Sequence, residues 1–157
     1  MSSPSPGSIS RSGAEQLARQ NLAIVARGDL AAADANVTPD FRDHQAGDAP
    51  ESARGPEAFK LTIAWLHRAF TDMHFEIHQA IVDGDSVALY VTFHAKQDGP
   101  FVIPGGPARG DIHYEATGRT FRSRAVHMFR IANGKICEHD ALRDDLAMAM
   151  QLGWIRP

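Results

Sequence analysis

The dipeptide Asn133-Gly134 constrains this chain more than any other feature. Two strand-like runs flank it within residues 122–140, and the pair is the strongest short-range signal for a tight hairpin. Three side chains that titrate within reach of neutral pH fall on that hairpin: His127, His139 and Asp140. A strand sends alternate side chains to one face, so such groups can be aimed into a cavity. The arrangement suits proton transfer and makes an enzyme the leading expectation.

Two registers are open for the hairpin. A two-residue loop at Asn133-Gly134 puts His127 opposite Asp140, so carboxylate and imidazole share a face. A three-residue loop pairs Arg130 with Glu138 and His127 with Ala141. Asp140 then points away, leaving His127 and His139 on the pocket side. A slip of one residue inverts every face, and a β-bulge can restore it.

Composition narrows the partners. The chain has 157 residues, with 16 Lys plus Arg against 19 Asp plus Glu, so no basic field is available for phosphates and nucleic-acid binding is not expected. Hydrophobic residues make up 43%, enough to build one domain's core. Cys137 is the only cysteine, so no intrachain disulfide can form, and a reduced cytoplasmic setting fits. No apolar run approaches membrane-spanning length. Residues 1–13 are Ser, Pro and Gly with little else, which reads as a disordered tail before a domain over residues 14–157.

Apolar spacing predicts a helix over residues 14–27 ended by Gly28, and a short helix capped by Asp29 and running to Asp34. Residues 36–51 read as a loop. A third helix opens at Gly55-Pro56 with a stripe of Phe59, Ile63, Leu66 and Phe70. Alternation then gives a strand through Phe75, Ile77 and Ile81, a turn at Asp83-Gly84-Asp85, and a strand through Val87, Leu89, Val91 and Phe93. Matching apolar faces favours a three-residue loop, which pairs Ile81 with Val87, Ile77 with Val91 and Phe75 with Phe93. Residues 99–110 read as a loop, residues 111–116 as a strand, and residues 142–152 as a final helix stopped by Gly153. Helices followed by a mostly antiparallel sheet indicate α+β architecture.

Several short motifs occur in a recognisable order: Gly55-Pro56-Glu57-Ala58-Phe59, Phe70-Thr71-Asp72-Met73, Asp83-Gly84-Asp85-Ser86-Val87, Ala116-Thr117-Gly118-Arg119, Phe129-Arg130, Asn133-Gly134-Lys135-Ile136, Glu138-His139 and Gln151-Leu152-Gly153. Together they resemble the SnoaL-like polyketide cyclase and ester cyclase family, within the nuclear transport factor 2-like superfamily. The resemblance implies a cone-shaped α+β barrel, with a curved, mixed but mostly antiparallel sheet wrapped around N-terminal helices and an apolar pocket inside. It also implies a homodimer or homotetramer and cofactor-free ring closure by an intramolecular aldol step on a polyketide ester. The superfamily includes isomerases, dehydratases and non-catalytic binders as well.

One departure stands out. The family often reads Glu-His-Trp-Asp on the last strand, with that Asp as the acid/base. Here the run is Glu138-His139-Asp140-Ala141, so the Trp position holds Asp and the Asp position holds Ala. His127 matches a family position that often carries His. The expected acid/base pair is therefore His127 with Asp140, and His44, His139, Phe41, Trp65 and Phe129 are the expected pocket residues. Such a pair could remove a proton alpha to a carbonyl and protonate the new alkoxide, as a lyase or isomerase would on a small apolar substrate. His74, Glu76 and His78 alternate on one strand face without a completed ligand set, so no metal is expected. A non-catalytic binding or assembly module on the same fold is the competing reading.

Overall fold

The computed structural model describes residues 8–45 and 53–156. In chain order its elements are α1 (Arg11–Arg27), α2 (Leu30–Asn36), β1 (Val37–Asp43), α3 (Gly55–Ala69), β2 (Phe70–Asp83), β3 (Ser86–Gln97), β4 (Phe101–Ile103), α4 (Gly106–Arg109), β5 (Ile112–Tyr114), β6 (Thr120–Ala132), β7 (Lys135–Arg143) and α5 (Asp145–Leu152). Five strands form one sheet in the order β1-β7-β6-β3-β2, antiparallel except for the parallel pair β1–β7. Helix α3 touches both edge strands, β1 and β2, so the sheet curls around it. This is the expected α+β cone, open between its edges and filled there by α3.

Helix α1 buries Ala14, Ala18, Asn21, Leu22 and Val25, a spacing that lines one helical face. It starts ahead of the expected boundary at Ala14. Ser10 caps it, with Oγ accepting from the Gly13 amide at 3.1 Å, and Ile9 packs on the core. Residues 1–7 of the expected tail lie outside the described residues.

The segment expected as a loop from residue 36 is a strand as far as Asp43. Its only large apolar side chains are Val37 and Phe41, and it pairs with β7, where Val37 meets Ile136 from far along the chain. No local pattern marks such a strand. The remainder of that expected loop, from residue 46, lies outside the described residues. Helix α3 begins against β1 at Gly55, where φ is +68° and an added Cβ would meet the Pro39 carbonyl oxygen at 2.4 Å. Only glycine permits that approach. The expected loop over residues 99–110 contains β4 and α4, and β4 pairs with β5. The final helix starts at Asp145, not 142, because β7 continues to Arg143 and Asp144 caps the helix by accepting from the Ala147 amide.

Both hairpins combine a tight turn with one extra residue. Asn133 and Gly134 have φ of 52° and 72°, the positive pair that a two-residue type I′ turn needs. Ala132 pairs with Lys135 and Ile131 with Ile136, yet beyond a register shift Arg130 pairs with Glu138 and His127 with Ala141. Cys137 is the bulged residue. The first hairpin behaves alike. Asp83 pairs with Ser86 and Val82 with Val87, so the expected Ile81–Val87 pair is not formed. A bulge at His78 then restores the expected Ile77–Val91 and Phe75–Phe93 pairs.

The placement of Ile9 and Ser10 makes a truncation series informative. A chain starting at Ala14 should melt below one starting at Ser8, because it loses the cap and the Ile9 contact. A lost cap costs about 1 kcal/mol, or about 2–4 °C at this size. Equal melting temperatures by calorimetry would place the structural boundary at Ala14 after all.

Candidate active site

The inner face of the sheet, α1 and α3 enclose a cavity of about 340 Å³. Much of its wall is aromatic: Trp65, Phe70, Phe75, Phe93, Phe101 and Trp154 all line it. Gln97, at the end of β3, is fully buried. Its amide donates to the carbonyls of Tyr114 and Glu115, and its Oε1 accepts from Thr117 Oγ1 and Trp154 Nε1. Gln97 thereby ties the β5 region and the C-terminal segment to β3.

One polar chain enters this apolar space. Asp43, at the end of β1, accepts from His139 Nδ1 at 3.0 Å on the neighbouring strand. His139 Nε2 lies 2.9 Å from His127 Nδ1 on β6. Asp43 is held in place from two more sides. Its Oδ1 accepts from the Gln45 amide at 2.9 Å, and its Oδ2 accepts from Thr62 Oγ1 of α3 at 3.0 Å. Phe129 supports the two imidazoles from the same face of β6, with ring centroids 5.0 Å from His139 and 6.3 Å from His127.

The sequence of donors in this chain is decided by its charged end. Burial raises the Asp43 carboxyl, but the hydrogen bond and charge of His139, the Gln45 amide and the Thr62 hydroxyl outweigh it and leave the pKa below 3.8. An ionised carboxylate only accepts, so His139 donates through Nδ1. In the donor order that places the only proton of His139 on Nδ1, its Nε2 accepts from His127 Nδ1–H, and His127 Nε2 carries a lone pair. No described residue bonds to that Nε2, and His127 lines the cavity. Burial, then His139 and Arg143, lower the His127 pKa from 6.5 to about 3, against a smaller upward pull from Asp43. The ring is neutral at pH 7, and in that donor order it presents a base to the cavity.

The expected site residues divide. His127, His139 and Trp65 line the cavity. His127 and Asp140 are not brought together: Met128 stands opposite Asp140, and Asp140 is exposed on the outer face of β7. Its Oδ1 accepts from Gln45 Nε2 at 2.7 Å and from the Ala141 amide. The bulge at Cys137 is the cause, since it gives the far half of the hairpin the three-residue register. His44 lies outside the cavity lining, with Nε2 3.3 Å from Glu138 Oε2. Phe41 is buried behind the wall, edge-on to Phe59 at 5.9 Å. Phe129 likewise sits behind the histidines and not on the cavity surface. Asp43 is the residue that sequence reasoning missed. It lies in the segment that reads as a loop from sequence, and its one signal is its place directly before His44 at the end of β1.

The lowered His127 pKa gives stability a definite sign. The unfolded chain protonates this ring below about pH 6.5, whereas the folded chain resists until about 3. The unfolded state binds more protons across that window, so stability falls as pH drops through it. Asp43 acts lower down: its depressed pKa contributes stability above 3.8 that is lost on further acidification. The melting temperature should therefore decline from pH 6.5 to 4.5, and His127→Leu should flatten that decline. An unchanged slope in the variant would show that His127 is not held neutral.

A family model for the SnoaL-like polyketide cyclases matches residues 15–152. Aklanonic acid methyl ester cyclase DnrD of Streptomyces peucetius is 35% identical over 107 residues, which are 66% of this chain and 67% of that protein. Aklanonic acid methyl ester cyclase DauD of Streptomyces sp. strain C5 is 35% identical over 107 residues, 66% of this chain and 60% of its own length. The matched segment thus spans less than two thirds of DauD. Among solved structures, TsrD from Streptomyces laurentii shares 26% identity and a TM-score of 0.74, covering 94% of this chain and 99% of its own. IdmH from Streptomyces antibioticus, a candidate polyketide cyclase, shares 25% identity and a TM-score of 0.68, covering 89% and 98%. A match over nearly the whole domain, carried on the same curved sheet, means that this chain belongs to the SnoaL-like polyketide cyclase family.

Proposed function

We propose that this protein is a cofactor-free cyclase that closes a ring by an intramolecular aldol step on a small, apolar, polyketide-like carbonyl compound. One observation carries the reading: the Asp43–His139–His127 chain ends at an unpartnered imidazole nitrogen inside an aromatic cavity. His127 Nε2 takes the proton alpha to a carbonyl. As it does so, the His127 Nδ1 proton passes to His139 Nε2, and the positive charge comes to rest beside the Asp43 carboxylate. The enolate carbon then attacks a second carbonyl of the same molecule. The new C–C bond forms as that C=O π bond opens, and the alkoxide takes back the proton from His127 Nε2. His139 returns its proton to His127 Nδ1, so the protein ends as it began. Asp43 and His139 position and charge-balance the base, while His127 touches the substrate. A homodimer or homotetramer fits the same reading, since Ile81, Met128 and Leu142 are exposed on the outer face of the sheet.

Aklanonic acid methyl ester, the compound in the relatives' names, is the first assay substrate. His127→Ala should lower kcat by at least about 100-fold while ligand still binds. Asp43→Asn should act in the same direction, because an amide can present its NH2 to His139 and reverse the donors along the chain. The two losses should be far from additive, since both serve one proton transfer. Asp140→Asn should change kcat by less than about threefold, well short of a general acid/base contribution. Full turnover in His127→Ala would sink the mechanism, whereas binding without any turnover by the wild-type protein would leave a ligand-binding module as the better reading. Sedimentation should give a species heavier than the 17.1 kDa protomer; a clean monomer would remove the assembly.

A further inference from the structure

His127 Nε2 is not the only open polar atom in the cavity. Asn21 of α1 lines it and is only 2% exposed. The orientation of its amide follows from its neighbours. Asn36 contacts the Leu17 carbonyl at 3.3 Å, and a carbonyl can only accept, so the Asn36 NH2 faces Leu17. Asn36 Oδ1 is thereby turned toward Asn21, which must meet it with Nδ2, at 2.8 Å. Asn21 Oδ1 is left without a partner among the described residues. It is not sealed off either, because the one enclosed, unpartnered side-chain atom among them is Thr38 Oγ1. The residue is otherwise enclosed, so the opening onto Oδ1 is the cavity itself.

A primary amide in an apolar wall is costly unless something bonds to it, and Leu would fill a similar volume without that cost. An acceptor fixed in this way discriminates. It is satisfied by a ligand hydroxyl and stranded by an ether, and sites built to bond a hydroxyl reject analogues that lack one. Two hydroxyls in the wall, Ser123 Oγ and Tyr114 Oη, can each donate or accept and so do not discriminate. The aromatic lining favours flat ligands.

We propose that Asn21 Oδ1 accepts a hydrogen bond from a substrate hydroxyl, so that the cavity selects flat aromatic compounds with a free phenol or enol over their O-alkylated counterparts. Asn36 is the positioning residue that aims it. The inference rests on the cavity being the reaction site proposed above, but it is read from binding alone, so either can fail without the other.

The probes are 2-naphthol and 2-methoxynaphthalene, titrated by calorimetry. The wild-type protein should bind 2-naphthol more tightly by about tenfold. Replacing both amides, Asn21→Leu with Asn36→Leu, leaves neither one stranded. That variant should weaken 2-naphthol alone and erase the preference. Asn21→Ala, whose gap admits water to Asn36, should do the same and serves if the double variant does not fold. Ser123→Ala and His127→Ala should each keep the preference. Equal affinities in the wild type, or no saturable binding of 2-naphthol, would overturn the proposal. So would a preference that survives both Asn21 variants, or one that disappears in His127→Ala.

Discussion

One extra residue in β7 decides which side chains this protein can use. Between Ile136 and Glu138 the strand carries Cys137 without a partner on β6. Side chains alternate along a strand, so this single insertion exchanges the faces of everything beyond it. His139 is thereby brought to the cavity side, where it stacks with His127 and reaches Asp43. Asp140 goes to the outer face, where it bonds Gln45. A separate register shift on β1, between Val37 and Arg42, places Asp43 beside His139. Without the bulge, the type I′ turn alone would have produced the opposite site.

This explains what was legible in the sequence and what was not. The helices announced themselves through spacing and caps: Asp29 and Gly28 stand where local rules put them. The far halves of both hairpins were legible from apolar matching, because Phe75–Phe93 and Ile77–Val91 can only pair one way with their faces inward. The turns themselves were not, since a tight turn plus a bulge and a longer loop give the same distant register. Strand β1 was hidden for another reason. Its partner is sequence-distant and only Val37 and Phe41 among its residues are large and apolar. Asp43 is hidden with it, whereas Asp140 stands out in the sequence but faces away from the cavity.

The scaffold around the chain of polar groups is arranged to keep Asp43 both buried and ionised. Carboxylates are expelled from apolar interiors unless several donors replace water. Here those donors come from three elements: His139 on β7, the Gln45 amide just past β1, and Thr62 on α3. The approach of α3 to β1 depends on Gly55, so a backbone constraint at one end of the helix contributes to charge stabilisation further along it. The packing that forms the cone and the electrostatics that operate within it are thus one problem solved by the same contacts.

The low pKa of His127 looks at first like a poor choice for a base. A ring whose conjugate acid forms only near pH 3 holds a proton weakly. That objection applies only if the proton's charge must stay on His127. The ring has two nitrogens, and its second one already faces His139 at 2.9 Å. Gaining a proton at Nε2 while giving one up at Nδ1 leaves His127 neutral throughout, and moves the charge to the ring that Asp43 compensates. In the proposed mechanism, the nitrogen that meets the substrate and the group that bears the charge are therefore on different residues. An apolar cavity penalises charge on His127 and leaves the paired charge deeper in the wall untouched, so the same burial that disqualifies a lone histidine favours this pair. In the proposed mechanism Asp43, acting through two rings, supplies the carboxylate that the family resemblance leads one to expect at position 141, where this chain has Ala.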